Sequence, residues 1–179
     1  KVNIFLKKNN LLHKKYIAIG ASASYPLKRW PLKYFNELIS ILIKEDFPVV
    51  LVGGENETEN TKLEHDFYGK VINAAGQFTS LESAELLRHA RLVVTNDTSI
   101  SHLAEAMQTP AIVFFGATVR EFGYSPFLKE SKVMETEEKL KCRPCSRDGR
   151  GSCSNPDKLR CLTSITPEMV LSIITELND

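Results

Sequence analysis

The order of apolar and helix-forming segments constrains the fold of this chain more than any other feature of its sequence. Five short apolar runs recur, each followed by a polar or amphipathic segment: YIAIG (16–20), PVVLVGG (48–54), KVINAAG (70–76), RLVVT (91–95) and PAIVFFG (110–116). Apolar runs without polar alternation are typical of strands that are buried on both faces. Strands that alternate with helices form parallel sheets. The sequence therefore predicts an α/β fold, a Rossmann-like parallel sheet with helices on both faces.

The segments between these runs have helical patterns. Residues 31–46 begin with Pro31 and carry apolar side chains at helical spacing, and residues 81–90 follow two candidate capping residues, Thr79 and Ser80. Further helices are predicted for residues 56–69, 102–107 and 167–177, and a sixth strand near 132–134.

Length and charge narrow the classes of function. A chain of 179 residues is long enough for one domain of ordinary size. Lys plus Arg (23) nearly balances Asp plus Glu (22), so no overall field would attract nucleic acid. No apolar run reaches the ~20 residues of a membrane span. The basic lead-in 1–15 lacks an initiator Met and is expected to be a linker from a missing N-terminal domain, with 16–179 as the ligand-binding domain.

Polar side chains gather where the predicted strands end. In open α/β sheets ligands bind at the carboxyl ends of the strands, and a helix start attracts anions such as phosphate. The loops after the first and fourth strands, GASASYPLKR and TNDTSIS, supply hydroxyls and cations for a diphosphate: Ser22, Ser24, Lys28, Arg29, Thr98, Ser99 and Ser101.

Each of these residues also has a purely structural interpretation. Ser, Thr and Asp before a helix are ordinary N-caps, Lys28 fits a solvated surface lysine, and His102 fits a buried, hydrogen-bonded imidazole. Asp97 is harder to explain in this way, because a buried acid at the end of a strand costs several kcal/mol unless it is paired or hydrogen-bonded. Capping could supply that partner.

Several nucleotide and hydrolase motifs are missing from the chain. There is no G-x-G-x-x-G after the first strand, no P-loop and no G-x-S-x-G elbow, which argues against NAD binding and a hydrolase triad. No D-x-D pair is present to hold a divalent metal against a nucleotide diphosphate. Protein donors are therefore expected to neutralise a bound diphosphate, with no cofactor.

Taken together, the loops resemble a known family. The stretch GASASYPLKRWPLKYF, with its K-R-W-P element, and the block TNDTSISHLAEAMQTPAIVFFG are similar to the C-terminal half of the ADP-heptose:lipopolysaccharide heptosyltransferases, glycosyltransferase family 9. The resemblance runs from Tyr16 to the end of the chain. It implies a GT-B fold, in which two Rossmann-like domains face each other and the C-terminal one holds the nucleotide sugar.

The resemblance also implies roles for particular residues. Lys28 would contact the donor phosphates and stabilise the leaving group, and Glu55 would meet the ribose. The remaining donor-binding residues implied by it would be Ser24, Asp97, Thr98 and His102, and the chemistry of the loops adds Ser22 and Ser99. The donor would be ADP-heptose or a related nucleotide sugar and the acceptor a lipopolysaccharide core or another cell-envelope glycan, with the enzyme cytoplasmic or peripheral to the inner membrane. The general base would come from the missing N-terminal domain, so the chain alone is expected to bind donor without transferring sugar.

Ser99 departs from the family pattern, which usually has glycine after the D-[ST] pair. A Cβ there could crowd the phosphate or exclude a positive φ. A non-catalytic nucleotide-binding module with the same fold is therefore the alternative function. A GT-B epimerase would share the architecture but is not supported by the K-R-W-P element.

Four cysteines near the end of the chain leave several states open. Cys142 and Cys145 form a C-x2-C pair, and Cys153 and Cys161 follow at longer spacing. C-x2-C followed by two more cysteines is one signature of a structural zinc site, but the second pair lacks that spacing. Bound metal, reduced thiols and disulfides all remain compatible with the sequence.

Overall fold

A single parallel sheet organises the chain. The computed structural model describes residues 1–12, 16–55 and 70–177. Six strands lie in the order β3-β2-β1-β4-β5-β6, and every neighbouring pair is parallel. Their bounds are β1 Ile17–Gly20, β2 Val49–Leu51, β3 Val71–Asn73, β4 Leu92–Asn96, β5 Ala111–Phe115 and β6 Lys132–Glu135. The Rossmann-like prediction is confirmed, and all six strands end at the same edge of the sheet.

Helices cover both faces of this sheet, as predicted. Their bounds are α1 Val2–Lys8, α2 Leu32–Lys44, α3 Ser80–Arg88, α4 Ser99–Ala106, α5 Arg160–Thr163 and α6 Pro167–Glu176. Successive strand residues enter different cores: Ile17 and Ile19 of β1 belong to the cluster under α2 and α6, and Ala18 belongs to the cluster under α1, α3 and α4. Burial of both strand faces explains why the strand sequences show no polar alternation.

Capping side chains set the starts of two helices. Thr79 caps α3 and forms a capping box with Glu82, as the sequence suggested. Thr98 caps α4, so this helix begins at Ser99, three residues before the predicted start. The helix predicted for 56–69 lies outside the described residues. None of the helices in the described ranges combines the length and apolar character that a bilayer span needs.

The basic lead-in differs from the linker predicted for 1–15. Residues 2–8 form α1, and Val2, Leu6 and the following Leu11 are buried in the cluster beneath α3. The ring of Phe5 packs edge-on against Phe78, with 5.2 Å between centroids. The prediction missed this helix because its polar Lys and Asn residues dominate the composition, although the apolar residues recur at i and i+4.

Candidate functional site

A buried ion pair joins the ends of two neighbouring strands. The chain leaves β1 and reaches Lys28 through a 3-10 turn, Pro26–Lys28, while Asp97 directly follows β4. Because β1 and β4 are paired, these residues meet: Lys28 Nζ lies 2.7 Å from Asp97 Oδ2. The Thr118 hydroxyl, beyond the end of β5, donates to the same carboxylate oxygen at 2.8 Å. A buried Asp97 was expected to need a partner, and it has two, Lys28 and Thr118.

Burial makes this pair more than a surface salt bridge. The side chains of Asp97 and Lys28 are 4% and 15% exposed, so water screens their attraction poorly. An ammonium group has three hydrogens, and Lys28 directs two of them at Asp97, the second towards its main-chain oxygen at 3.4 Å. Within residues 1–12, 16–55 and 70–177 no third partner of this ammonium is found, so its third hydrogen is available to a ligand. Lys28 is thus a positioned cation, and the solvated-lysine interpretation is wrong.

Asn96 fixes the loop that carries Lys28. Its Nδ2 donates to the carbonyls of Ala21 (2.9 Å) and Ser22 (3.2 Å), and its Oδ1 accepts from Trp30 N at 2.9 Å. One fully buried amide at the end of β4 therefore ties down both ends of the loop after β1. Sequence reasoning passed over Asn96 as one of several polar residues in a loop. Its position as the last residue of a buried strand was the signal that could have identified it.

The residues of the K-R-W element have different roles: Arg29 and Trp30 stabilise the fold, and Lys28 faces the candidate site. Arg29 Nε donates to Ala23 O at 2.7 Å, so this cation is used to fold the preceding loop. Trp30 Nε1 donates to Ile165 O at 2.9 Å, and its ring stacks on Phe114 at 4.3 Å. Arg29 also reaches the main-chain oxygen of Ser24, at 3.5 Å, whereas Lys28 directs its charged group at the side chain of another candidate site residue, Asp97.

The first turn of α4 supplies polar groups beside the ion pair. Thr98 Oγ1 accepts from Ile100 N at 3.3 Å, which confirms the capping interpretation of this hydroxyl. Ser101 turns inward and donates to Thr98 O at 2.7 Å. Ser99 and His102 are exposed on the same turn, so the buried-imidazole interpretation of His102 is wrong. Unpaired backbone N–H groups at such a start favour a bound anion.

The remaining predicted residues lie at the same edge of the sheet. Ser22 is buried in the loop after β1, Ser24 is exposed two residues further, and Glu55 is exposed beyond the end of β2, which pairs with β1. The structure thus places all eight predicted residues at the carboxyl ends of β1, β2 and β4. Lys28 and Asp97 are in direct side-chain contact, and the ligand roles of all eight stay predictions.

Thr118 is a second residue that sequence reasoning missed. It lies in the loop after β5, and no side chain of that loop was among the predicted site residues. Thr118 is completely buried, and its hydroxyl completes the pairing of Asp97. A hydroxyl just beyond the end of an inner strand, level with a buried acid on the next strand, was the available signal.

The four cysteines carry free thiols, and none of them is in a disulfide. Burial, with a smaller contribution from the neighbouring Cys142 and Cys153 thiols, raises the pKa of Cys145. Burial raises the pKa of Cys161 to about 11. Over the described residues, no group of three or more His, Cys, Asp or Glu side chains is arranged to hold a metal ion. The thiols and carboxylates of these ranges therefore do not form a metal centre.

Comparison with known sequences identifies the family. The profile of glycosyltransferase family 9 (heptosyltransferase) matches residues 3–150, most of the chain. Lipooligosaccharide heptosyltransferase 2 of Haemophilus influenzae is 29% identical over 160 residues, which are 85% of this chain and 44% of that protein. Lipopolysaccharide heptosyltransferase 2 of Salmonella typhimurium is 34% identical over 103 residues, 54% of this chain and 29% of that protein.

Solved structures share the fold over half of their length. The Escherichia coli ADP-heptose lipopolysaccharide heptosyltransferase II superposes with a TM-score of 0.78 at 22% identity, covering 98% of this chain and 50% of that one. The dodecameric iron-containing heptosyltransferase TibC, solved with ADP-D-β-D-heptose, gives 0.70 at 18% identity, covering 93% and 46%. The chain therefore spans about half the length of the heptosyltransferases it matches. With its parallel sheet and its family-profile match, this chain belongs to glycosyltransferase family 9, the heptosyltransferase family.

Proposed function

We propose that this chain is the donor-binding, C-terminal half of a two-domain GT-B glycosyltransferase, and that it binds ADP-heptose or a related nucleotide sugar. The observation that supports this most directly is the Lys28 ammonium, held by Asp97 at the carboxyl edge of the sheet with one N–H left for a ligand. TibC, which shares the fold, was solved with a ligand of the same chemical class, a nucleoside diphosphate sugar.

The arrangement suggests how the donor lies. Its diphosphate would rest on the start of α4, between the backbone of Thr98 and Ser99 and the ammonium of Lys28. The ribose would extend towards Glu55, beyond the end of β2, and the sugar towards His102. Ser22 and Ser24 would line the loop after β1. Asp97, already bonded to Lys28 and Thr118, would act by holding the ammonium in place.

In the proposed reaction the bond between the anomeric carbon and the diphosphate oxygen breaks, and its electron pair stays on that oxygen. The acceptor hydroxyl oxygen forms the new bond to carbon and gives its proton to a general base. Lys28 stabilises the negative charge that develops on the diphosphate, a contribution of typically ~3 kcal/mol. We place the general base in the other half of the enzyme, so this half alone binds donor but does not transfer sugar.

We extend the proposal to the acceptor and to the question of whether the reaction needs a cofactor. The acceptor is a lipopolysaccharide core or another cell-envelope glycan, presented at the cytoplasmic face of the inner membrane by the N-terminal half. Because the sequence lacks a D-x-D pair, Lys28 and the donors at the start of α4 neutralise the diphosphate, and the reaction needs no cofactor.

A non-catalytic nucleotide-binding module is the second candidate. The observation in its favour is Ser99, whose side chain stands in the first turn of α4 where the family pattern has glycine. Ser99 is exposed at the start of α4, where the phosphates are proposed to lie.

Titration calorimetry with ADP, UDP and GDP tests the donor assignment. The proposal predicts saturable one-to-one binding of ADP by the 179-residue chain, tighter than binding of UDP and GDP. Equal weak heats for all three nucleotides would contradict it. The two candidates are separated by a transfer assay with the longer enzyme that includes the N-terminal half: a glycosyltransferase forms product, and a binding module does not.

A further inference from the structure

A segment with no assigned role packs against residues of the candidate site. Residues 142–150, here called the cysteine-bearing segment, follow β6 and lie against the turn 116–118 at the end of β5. Cys145 N donates to Ala117 O at 2.9 Å, and Arg143 Nε donates to Gly116 O at 2.7 Å. A third bond runs from Arg143 Nη2 to Thr118 O at 2.9 Å. Every residue of this turn is therefore held through its carbonyl.

Arg143 is itself held rigidly. Its side chain is only 10% exposed, and Nη2 lies 3.1 Å from Glu135 Oε2, at the end of β6. The same nitrogen also lies 3.3 Å from Phe115 O. A planar guanidinium that is held at several points keeps the backbone segments it contacts in nearly fixed relative positions. The turn 116–118 is thus clamped between β5, β6 and the cysteine-bearing segment.

The turn 116–118 is connected to Lys28 through two side chains, those of Thr118 and Asp97. Thr118 Oγ1 donates to Asp97 Oδ2 at 2.8 Å, and Lys28 Nζ pairs with that same oxygen at 2.7 Å. A displacement of Thr118 would therefore release one of the two groups that orient the carboxylate. The carboxylate in turn sets the position of the ammonium.

The cysteine-bearing segment also touches Lys28 directly. Gly149 packs against the methylene stem: a Cβ added at Gly149 would lie 2.7 Å from Lys28 Cγ and 3.1 Å from Cε. Next to it, Arg150 Nε donates to the hydroxyl of Tyr25 at 2.9 Å. Tyr25 begins the turn that carries the lysine, since Lys28 N donates to Tyr25 O at 3.0 Å. The cysteine-bearing segment therefore constrains the methylene stem of Lys28, its ammonium and the turn that carries it.

From these contacts we infer that the cysteine-bearing segment is a positioning element of the donor site, acting on Lys28 through Gly149 and through Thr118. The inference rests on the proposed function, in which Lys28 meets the donor diphosphate. A lysine side chain has four rotatable bonds, and a site that binds a diphosphate gains affinity when that chain is already oriented. Gly149 and Thr118 are positioning residues, because they act on the ligand only through Lys28 and Asp97.

A matched pair of glycine variants tests the inference. Gly149 (φ +84°) and Gly151 (φ +98°) both have positive φ, so alanine strains the backbone at either position, but a Cβ at Gly151 would meet nothing within 4 Å. Calorimetry should show that G149A weakens ADP binding by roughly tenfold or more, since small misplacements of binding groups have such effects. G151A should stay within about twofold of the parent chain. Equal ADP affinities in the two variants would overturn the inference.

A second measurement does not depend on any ligand. The loss of unfolding stability caused by G149A should shrink in a K28A background, where the stem that the new Cβ meets is gone, whereas the loss caused by G151A should not change. A G149A penalty that K28A leaves unaltered would overturn the inference. If the parent chain does not bind ADP, the proposed function fails, and this cycle still decides whether Gly149 constrains Lys28.

Thr118 provides the test if G149A does not fold. T118V keeps the side-chain shape and removes the hydroxyl that donates to Asp97, whereas T118S retains the hydroxyl. T118V should bind ADP roughly tenfold more weakly than T118S, as expected for loss of a hydrogen bond to a charged group. Equal ADP affinities of the two would overturn the inference, because a residue that merely fills space would not distinguish them.

Discussion

Removal of the Asn96 side chain should destabilise the protein far more than removal of another buried asparagine. Asn96 makes three hydrogen bonds to the loop after β1: to Ala21 O, Ser22 O and Trp30 N. Asn36, buried in α2, has side-chain atoms that make no hydrogen bond to any residue of the described ranges. N96A and N36A delete the same atoms from buried positions, so the cavity contributions are similar, and the difference between them reports the hydrogen bonds.

The expected magnitude follows from these contacts. Three hydrogen bonds at a net ~1 kcal/mol each give about 3 kcal/mol. The buried Trp30 N–H loses its acceptor, which adds roughly 1–2 kcal/mol. Alanine also favours the helix at position 36 by about 0.5 kcal/mol, which offsets part of the loss in N36A. Together these contributions should make N96A less stable than N36A by about 4.5–5.5 kcal/mol.

Urea unfolding measures this difference with a convenient probe. Trp30 is the only tryptophan of the chain, and its backbone N–H bonds to Asn96, so its fluorescence reports the site. Far-UV circular dichroism should give the same transition midpoint if unfolding is two-state. Equal free energies of unfolding for N96A and N36A would refute the argument that Asn96 holds the loop. A fluorescence change without loss of stability would refute it as well.

Three further outcomes follow from buried groups elsewhere in the fold. Glu105 accepts hydrogen bonds from the backbone N–H of Phe127 (2.7 Å) and of the following residue, so E105Q should lower the free energy of unfolding by about 2–4 kcal/mol in urea titrations. Y16F removes the buried hydroxyl that donates to a carbonyl of α3 and should cost about 1–2 kcal/mol in the same assay; an unchanged midpoint would contradict the assignment. Because burial raises the pKa of Cys161 to about 11, only about one thiol in a thousand is ionised at pH 8, and alkylation followed by mass spectrometry should show its rate rising roughly tenfold per pH unit up to that pKa. The exposed Cys145 should react faster than the buried Cys161 at the same pH.

The sheet and most helices could be predicted from the sequence, because the local apolar patterns agree with the burial of the residues in the structure. The strands of the inner sheet are apolar on both faces, and Thr79 and Pro167 mark the starts of α3 and α6. The helix α1 was missed because its Lys-rich composition obscured two apolar residues, Val2 and Leu6, that are buried in the cluster beneath α3. Its stability comes from tertiary packing that local composition does not report.

The candidate site was predictable in part for the same physical reason. Parallel strands end at one edge, so Lys28 and Asp97 could be placed near each other before any coordinates were known. Their direct pairing, and the contributions of Asn96 and Thr118, depend on side-chain directions in loops, which no periodic pattern encodes. Gly149 could not have been found, because its contact with Lys28 joins parts of the chain 121 positions apart in the printed numbering.

Binding of ADP to the chain and to two lysine variants tests the central proposal most directly. K28M removes the ammonium at the ion pair, and K33M removes an exposed lysine of α2 as the matched control. The account predicts one-to-one ADP binding by the parent chain and by K33M, and binding that is about 10- to 100-fold weaker in K28M, the loss expected for a charge-assisted hydrogen bond. Absence of saturable binding by the parent chain, or an unchanged affinity in K28M, would contradict it.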